Sequence, residues 1–264
     1  MGFRIWDCGF LKADLKVMFK KFAFSVCLLV GLVRCLAAQE IPQTAVVLEE
    51  RNVTETRQLI LWMPNPTKHP RDATDDLYTC PDETRGHYYS GVAKVSLLDL
   101  KTKKTINTIE IRSDEFAEGN ALDLPYLIHR GYYEVPQIDK NKEGKPVLMN
   151  LKDYNADGKA FEFALFDAVA CMGLPTSLIG YSPKKDKVIQ YETELKAGEG
   201  TSKEFWVDYL FGRKPDKQGV WKYEIDYRGR GGTLDKYEIR YDEAREMFDG
   251  KIESVSDEAE RPNK

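Results

Sequence analysis

Apolar and polar residues alternate with a period of two along most of the chain. The clearest run is WKYEIDYRGRGGTLDKYEIRY, where Trp221, Tyr223, Ile225 and Tyr227 alternate with Lys222, Glu224, Asp226 and Arg228. After the glycines, Tyr237, Ile239 and Tyr241 alternate with Glu238 and Arg240. One apolar and one polar face per segment predicts antiparallel strands with one wet side. Gly229, Gly231 and Gly232 supply the positive-φ positions of a tight hairpin, so RGRGG reads as a turn between strands rather than a disordered RNA-binding run. The same plan recurs three times. RQLILWM reads as a strand ending at PNP; GVAKVSLLDL and TINTIEIR flank the turn KTKK; SLIGY and VIQY flank SPKKDK. Only YDEAREMFDG suggests a helix, a short one near 242–248. The pattern predicts an all-β fold of antiparallel hairpins, arranged as a sandwich or an incomplete propeller-like meander.

The first 38 residues do not fit that pattern. Lys20 and Lys21 follow Met18, an apolar run occupies 22–33, and Ala37 and Ala38 close the segment. A basic head, apolar middle and small-residue end predict a secretory signal peptide over about 18–38, cut near Ala38 or Gln39. The residues before Met18 read as an overlong start. The run is short of the ~20 apolar residues of a membrane span, so no stable span is expected after cleavage; an uncleaved anchor is the alternative. LVRC resembles a lipobox, but Arg34 stands where a small residue belongs. The expected organisation is a leader over 1–38, one exported β domain over 39–252 and a disordered polar tail over 253–264. The location is periplasmic or extracellular.

Export changes how the cysteines read. Of five, Cys8, Cys27 and Cys35 leave with the leader, and Cys80 and Cys171 remain. An even pair in an oxidising compartment predicts a disulfide, contributing roughly 4 kcal/mol in the chain-entropy picture; two buried thiols are the alternative. Asn52-Val53-Thr54 fits a glycosylation sequon. Thirty-nine basic residues against 43 acidic ones leave a net charge of −4, which gives nucleic acid no electrostatic footprint.

The stretch DYNADGK places oxygen-bearing side chains at Asp153, Asn155 and Asp157, with Gly158 following. A calcium loop needs this arrangement: alternate oxygens, a glycine for the sharp turn, then a backbone carbonyl, here from Lys159. Ala164 stands where an EF-hand has its bidentate Glu, and the flanks PVLMNLK and FEFALFD read as strands, not helices. Glu162 is the nearest replacement acid, expected opposite Phe161 and Phe163 and away from their apolar layer. The stretch DYNADGKAFEF resembles the calcium loops of FG-GAP and VCBS-type repeat proteins. The resemblance implies Asp153, Asn155 and Asp157 as side-chain ligands and Lys159 as a carbonyl ligand. It departs at Phe161, where those families place a further acid, and it occurs once. An Asx-rich turn without metal is the other reading. Extracellular calcium modules bind at roughly 10⁻⁴–10⁻³ M, which suits structural support rather than signalling.

No catalytic residue is assigned. His69, His87 and His129 stand in no zinc pattern, and no GxSxG elbow or P-loop is present. Paired acids in loops, Asp75 with Asp76 and Asp82 with Glu83, are the material for a hydrolase. The expected function is therefore an exported β-rich binding or structural module. It would be stabilised by calcium and one disulfide, with a protein or glycan ligand at the cell envelope. The alternatives are a secreted hydrolase using loop carboxylates, and a subunit of a larger β assembly.

Overall fold

The chain divides into two units, Met1–Gln39 and Glu40–Lys264. The computed structural model describes residues 40–70, 87–112, 126–140, 142–168, 176–204, 210 and 213–256, all in the second unit. Cys80, Cys171 and the acids Asp75, Asp76, Asp82 and Glu83 lie outside the described residues.

Strand is the dominant structure of the described chain, and its helical pieces are short 3-10 turns. A four-stranded sheet has the order β1-β2-β5-β6: Ala45–Asn52, Arg57–Pro64, Lys94–Asp99 and Lys104–Glu110. Between β2 and β5 the chain contributes β3 (Thr67–His69) and β4 (Tyr88–Gly91); β4 lies between β3 and β7 (Tyr126–His129) and pairs with both. A small hairpin joins β8 (Gln137–Asp139) to β9 (Lys142–Glu143). A three-stranded sheet follows: β10 (Glu162–Phe166), β11 (Thr176–Ser182) and β12 (Lys187–Gln190). The last sheet has the order β14-β13-β17-β16-β15, with β13 Thr193–Ala197, β14 Gly200–Glu204, β15 Val220–Asp226, β16 Leu234–Asp242 and β17 Met247–Val255. Its β13–β17 pair is parallel, the exception among antiparallel ladders. The pair joins strands far apart in sequence, beyond the reach of any local hairpin signal. Every hairpin read from alternation is present, and the all-β expectation holds.

The three-stranded sheet is the middle of the structure because both its faces are apolar. Phe163, Leu165, Ile179, Tyr181 and Val188 enter one core with Leu59, Leu61 and Met63 of β2 and Val95 and Leu97 of β5. Leu178, Ile189 and Tyr191 enter a second core with Leu195, Trp221, Ile239 and Phe248 of the five-stranded sheet. Alternate residues of the same strands thus serve different cores. Two side-chain amides tie β12 to the first sheet as peptide groups would. Asn107 donates Nδ2 to the Val188 carbonyl and accepts the Val188 amide, both at 2.9 Å. Gln190 does the same with Arg112, at 2.7 and 3.0 Å.

The helix expected near 242–248 is a hairpin turn. β16 runs to Asp242 and β17 starts at Met247. The Asp242 carboxylate accepts the amides of Ala244 and Arg245 at 2.9 and 3.1 Å, and Glu246 takes φ +54° to reverse the chain. Tyr241 and Phe248, seven apart and so helix-like in spacing, are cross-strand neighbours with ring centroids 5.3 Å apart. The β5–β6 and β11–β12 turns repeat this design, with Asp99 and Ser182 accepting turn amides and Lys103 and Asp186 at φ +59° and +48°. The β domain also runs further than expected. Glu253, Ser254 and Val255 pair with Lys236, Asp235 and Leu234, so the first residues assigned to the tail are strand.

Candidate cation loop and buried carboxyl

Residues 153–159 form a loop whose base is closed by a single bridge. The Lys152 amide donates to the Glu162 carbonyl at 2.8 Å, and the Glu162 amide returns the bond at 3.2 Å. Ala156 at φ +60° and Gly158 at φ +87° supply the curvature. The oxygens picked out by spacing hold the loop's own amides. Asp153 accepts from Asp157 and Gly158, both at 3.0 Å; Asn155 accepts from Asp157 at 3.0 Å; Asp157 accepts from Lys159 at 2.9 Å. Lys159 also brings its ammonium to 3.8 Å from Asp157.

Two local expectations are corrected. PVLMNLK is not a strand beyond the Lys152 bridge. Leu148 and Met149 are adjacent and both buried in the first core, which the alternating faces of a strand forbid, and the Leu148 amide is taken by the Glu49 carboxylate at 2.6 Å. Glu162 does point opposite Phe161 and Phe163, but that side faces the second core, and the residue is 1% exposed. Glycine makes the space: a Cβ on Gly180 would stand 2.9 Å from Glu162 Cγ and 2.9 Å from the Phe161 carbonyl.

Glu162 is the polar centre of the site. One carboxyl oxygen accepts the Tyr154 amide at 3.2 Å; the other lies 3.4 Å from Asn155 Nδ2 and 3.3 Å from the Tyr191 hydroxyl. Burial pushes its pKa up to about 8, and the charges of Asp157 and Asp153 push the same way, outweighing the Tyr154 amide and the Tyr191 hydroxyl. The Tyr191 hydroxyl is raised too, first by burial and then by Glu162. The donors are all hard oxygens, which fits calcium. They are not gathered on one point, and among the described residues no three His, Cys, Asp or Glu side chains group as a metal cluster.

The other chemistry-bearing groups are built into sheets. His69, Tyr88 and His129 line up across β3, β4 and β7, with the His69 ring stacked on Tyr88 at 4.4 Å and Tyr88 5.9 Å from His129. His69 Nε2 lies 2.7 Å from Ser90 Oγ, and His129 Nδ1 accepts the Gly131 amide at 3.0 Å. Linear spacing hid this row, because only strand pairing brings residues 69, 88 and 129 together. A shallow hollow of about 370 Å³ lies on the wet face of the five-stranded sheet. Its rows Lys222, Glu238, Lys251 and Glu224, Lys236, Glu253 alternate in sign and largely cancel. RGRGG is a hairpin turn: Gly231 takes φ +79°, and a Cβ on Gly232 would stand 2.6 Å from Tyr227 Cβ. Among the described residues no helix is long and apolar enough to cross a membrane.

No protein-family model matches this chain, and neither a curated protein nor a solved structure does.

Proposed function

We propose that this chain is an exported β-rich module with a binding or structural role, stabilised by a calcium ion in the 153–159 loop and by a disulfide between Cys80 and Cys171. The observation that carries the calcium reading is where the loop sits. It closes on Glu162, a buried carboxyl in the strand that divides the two cores, with Asp153 and Asp157 raising its pKa. A divalent cation there would draw inward the side chains of Asp153, Asn155 and Asp157, the Lys159 carbonyl and Glu162, which are not gathered on one point without it, and would offset the repulsion among the acids. Its contribution is structural, a clamp at the base of β10. The amides already satisfied by Asp153 and Asp157 keep the loop closed without it, so calcium adds to the loop's stability rather than creating it.

Export rests on the basic, apolar and small-residue order of the leader, and the envelope ligand, a protein or a glycan, follows from that location. Titration calorimetry on the full chain tests the cation. Binding with a dissociation constant of roughly 10⁻⁴–10⁻³ M, abolished by chelator, is expected; absence of binding at millimolar calcium makes the loop an ordinary Asx-rich turn. Mass analysis of secreted protein should find an amino terminus near Ala38 or Gln39, and intact leader in soluble cytosolic protein would reject export. Non-reducing peptide maps should join the Cys80 and Cys171 peptides, and separate peptides would reject the bridge.

A further inference from the structure

The β5–β6 and β11–β12 turns lie side by side, and Arg57 fixes them there. Its guanidinium forks onto Asp186 with two bonds of 2.8 Å and reaches Asp99 at 3.2 Å. Both turn acids are thus engaged by one cation: the amides of Thr102 and Lys101, and then Arg57, hold the Asp99 carboxyl below its usual range, and Arg57 followed by the Tyr181 hydroxyl does so for Asp186. Further along, the paired amide bonds of Asn107 with Val188 and of Gln190 with Arg112 hold β6 and β12 together and pointing the same way.

The shared design sets lysines at matching places. The second turn position is Lys101 in one hairpin and Lys184 in the other; the first residue of the return strand is Lys104 in one and Lys187 in the other. Lys103 adds a fifth at the reversing position, and Lys185 a sixth. Lys184 reaches the Ala244 carbonyl at 2.7 Å and Lys185 the Glu246 carboxylate at 2.9 Å, which docks the third turn beside the second. Lys101, Lys103, Lys104 and Lys187 are exposed, and none has an ion-pair partner among the described residues. These free ammonium groups are presented on a rigid double tip of a chain whose net charge is −4.

We infer that this double hairpin tip binds a linear acidic polysaccharide, a polymer with carboxylate or sulfate groups repeated along its length. The inference deepens the binding reading above and uses none of the residues of the 153–159 loop. Several exposed point charges on two adjacent turns suit a flexible polyanion whose acidic groups recur. No aromatic residue stands among the lysines to stack a base, as single-stranded nucleic acid requires. None of the exposed large apolar residues lies in either turn to anchor a bilayer.

The test is retention of the full chain on immobilised heparin and its affinity for polygalacturonate, at low and at physiological salt. The chain should bind both polymers and weaken as salt rises. Lys101→Ala, Lys104→Ala and Lys187→Ala together should lower affinity by roughly fivefold for each lysine removed, on the scale of a lysine near an anionic surface. Lys222→Ala with Lys236→Ala, on the sign-alternating face, should leave it unchanged and controls for folding. Binding by the triple variant equal to that of the parent overturns the site. Binding to vesicles of anionic lipid or to single-stranded DNA, with none to either polysaccharide, overturns the polymer class. The calcium titration is scored separately, so either reading can fail alone.

Discussion

The three-stranded and five-stranded sheets contain hairpins with the same four-residue turn, yet their strands read differently. β15 and β16 alternate strictly because one face is wet: Lys222, Glu224, Lys236 and Glu238 stand in solvent while Trp221, Tyr223 and Ile239 are buried. β11 is buried at every position because it is the central strand of the central sheet. A polar side chain therefore has opposite consequences in the two places. On the outer sheet it is solvated wherever it falls on the wet face. In the central sheet it must be supplied with partners, as Glu162 is by Tyr154, Asn155 and Tyr191.

The largest effect is expected in the core. Phe163→Ala in β10 should cost about 3–5 kcal/mol of unfolding free energy, because it empties space in a fully buried layer. Urea unfolding measures it, and a cost near that of a surface change would show that the middle sheet is not packed on both sides. The next largest effect concerns Glu162 and is read in chelator. Its pKa is about 8 in the folded chain against an ordinary 4.5. The folded state then holds a proton that the unfolded state releases, so stability is full below pH 4.5 and falls as pH rises from there to about 8. Glu162→Gln should flatten that fall; an unchanged pH profile would place the carboxyl in water. Asn107→Ala removes both bonds to Val188 and should cost about 1–2 kcal/mol, a measure of how tightly the central sheet is fastened at its edge. Lys222→Ala, whose partner Glu238 is 3.4 Å away on the wet face, should stay within about 0.5 kcal/mol.

Legibility followed the same division. β15 and β16 have a wet face and announce themselves by alternation, as does the turn between them, where Gly231 takes positive φ and Gly229 and Gly232 do not; β5 is legible only as a strand, since Ser96 on its polar side is buried against Trp62 and Thr108. The start of β17 departs from the expected helix because Tyr241 and Phe248 mimic a helical stripe across the turn, and its residues Glu243, Ala244, Arg245 and Glu246 lack the proline or lysine run that marks the turns before β12 and β6. PVLMNLK failed for the opposite reason: an apolar run implies burial, not regular pairing. At the loop, spacing identified Asp153, Asn155, Asp157 and Gly158 as a polar turn. The burial of Glu162 could not be read, because it depends on Gly180 and Tyr191 from other strands.

The thermal midpoint of the full chain, in millimolar calcium and in chelator, reads out whether the 153–159 loop holds a stabilising ion. At calcium ten times the dissociation constant the folded state gains about 1.4 kcal/mol, or about 3–6 °C for a domain of this size. Asp153→Ala is a blunt probe, since it also frees the Gly158 amide, removes one of the two acceptors of the Asp157 amide and lowers the midpoint in both conditions. Asp157→Asn is sharper, because an amide oxygen still accepts from Lys159 while the charge is lost. A calcium-dependent rise is expected in the parent and a diminished one in Asp157→Asn, whose midpoint in chelator should be no lower than the parent's because one of the repelling charges is gone. Equal midpoints for the parent with and without calcium would contradict that expectation.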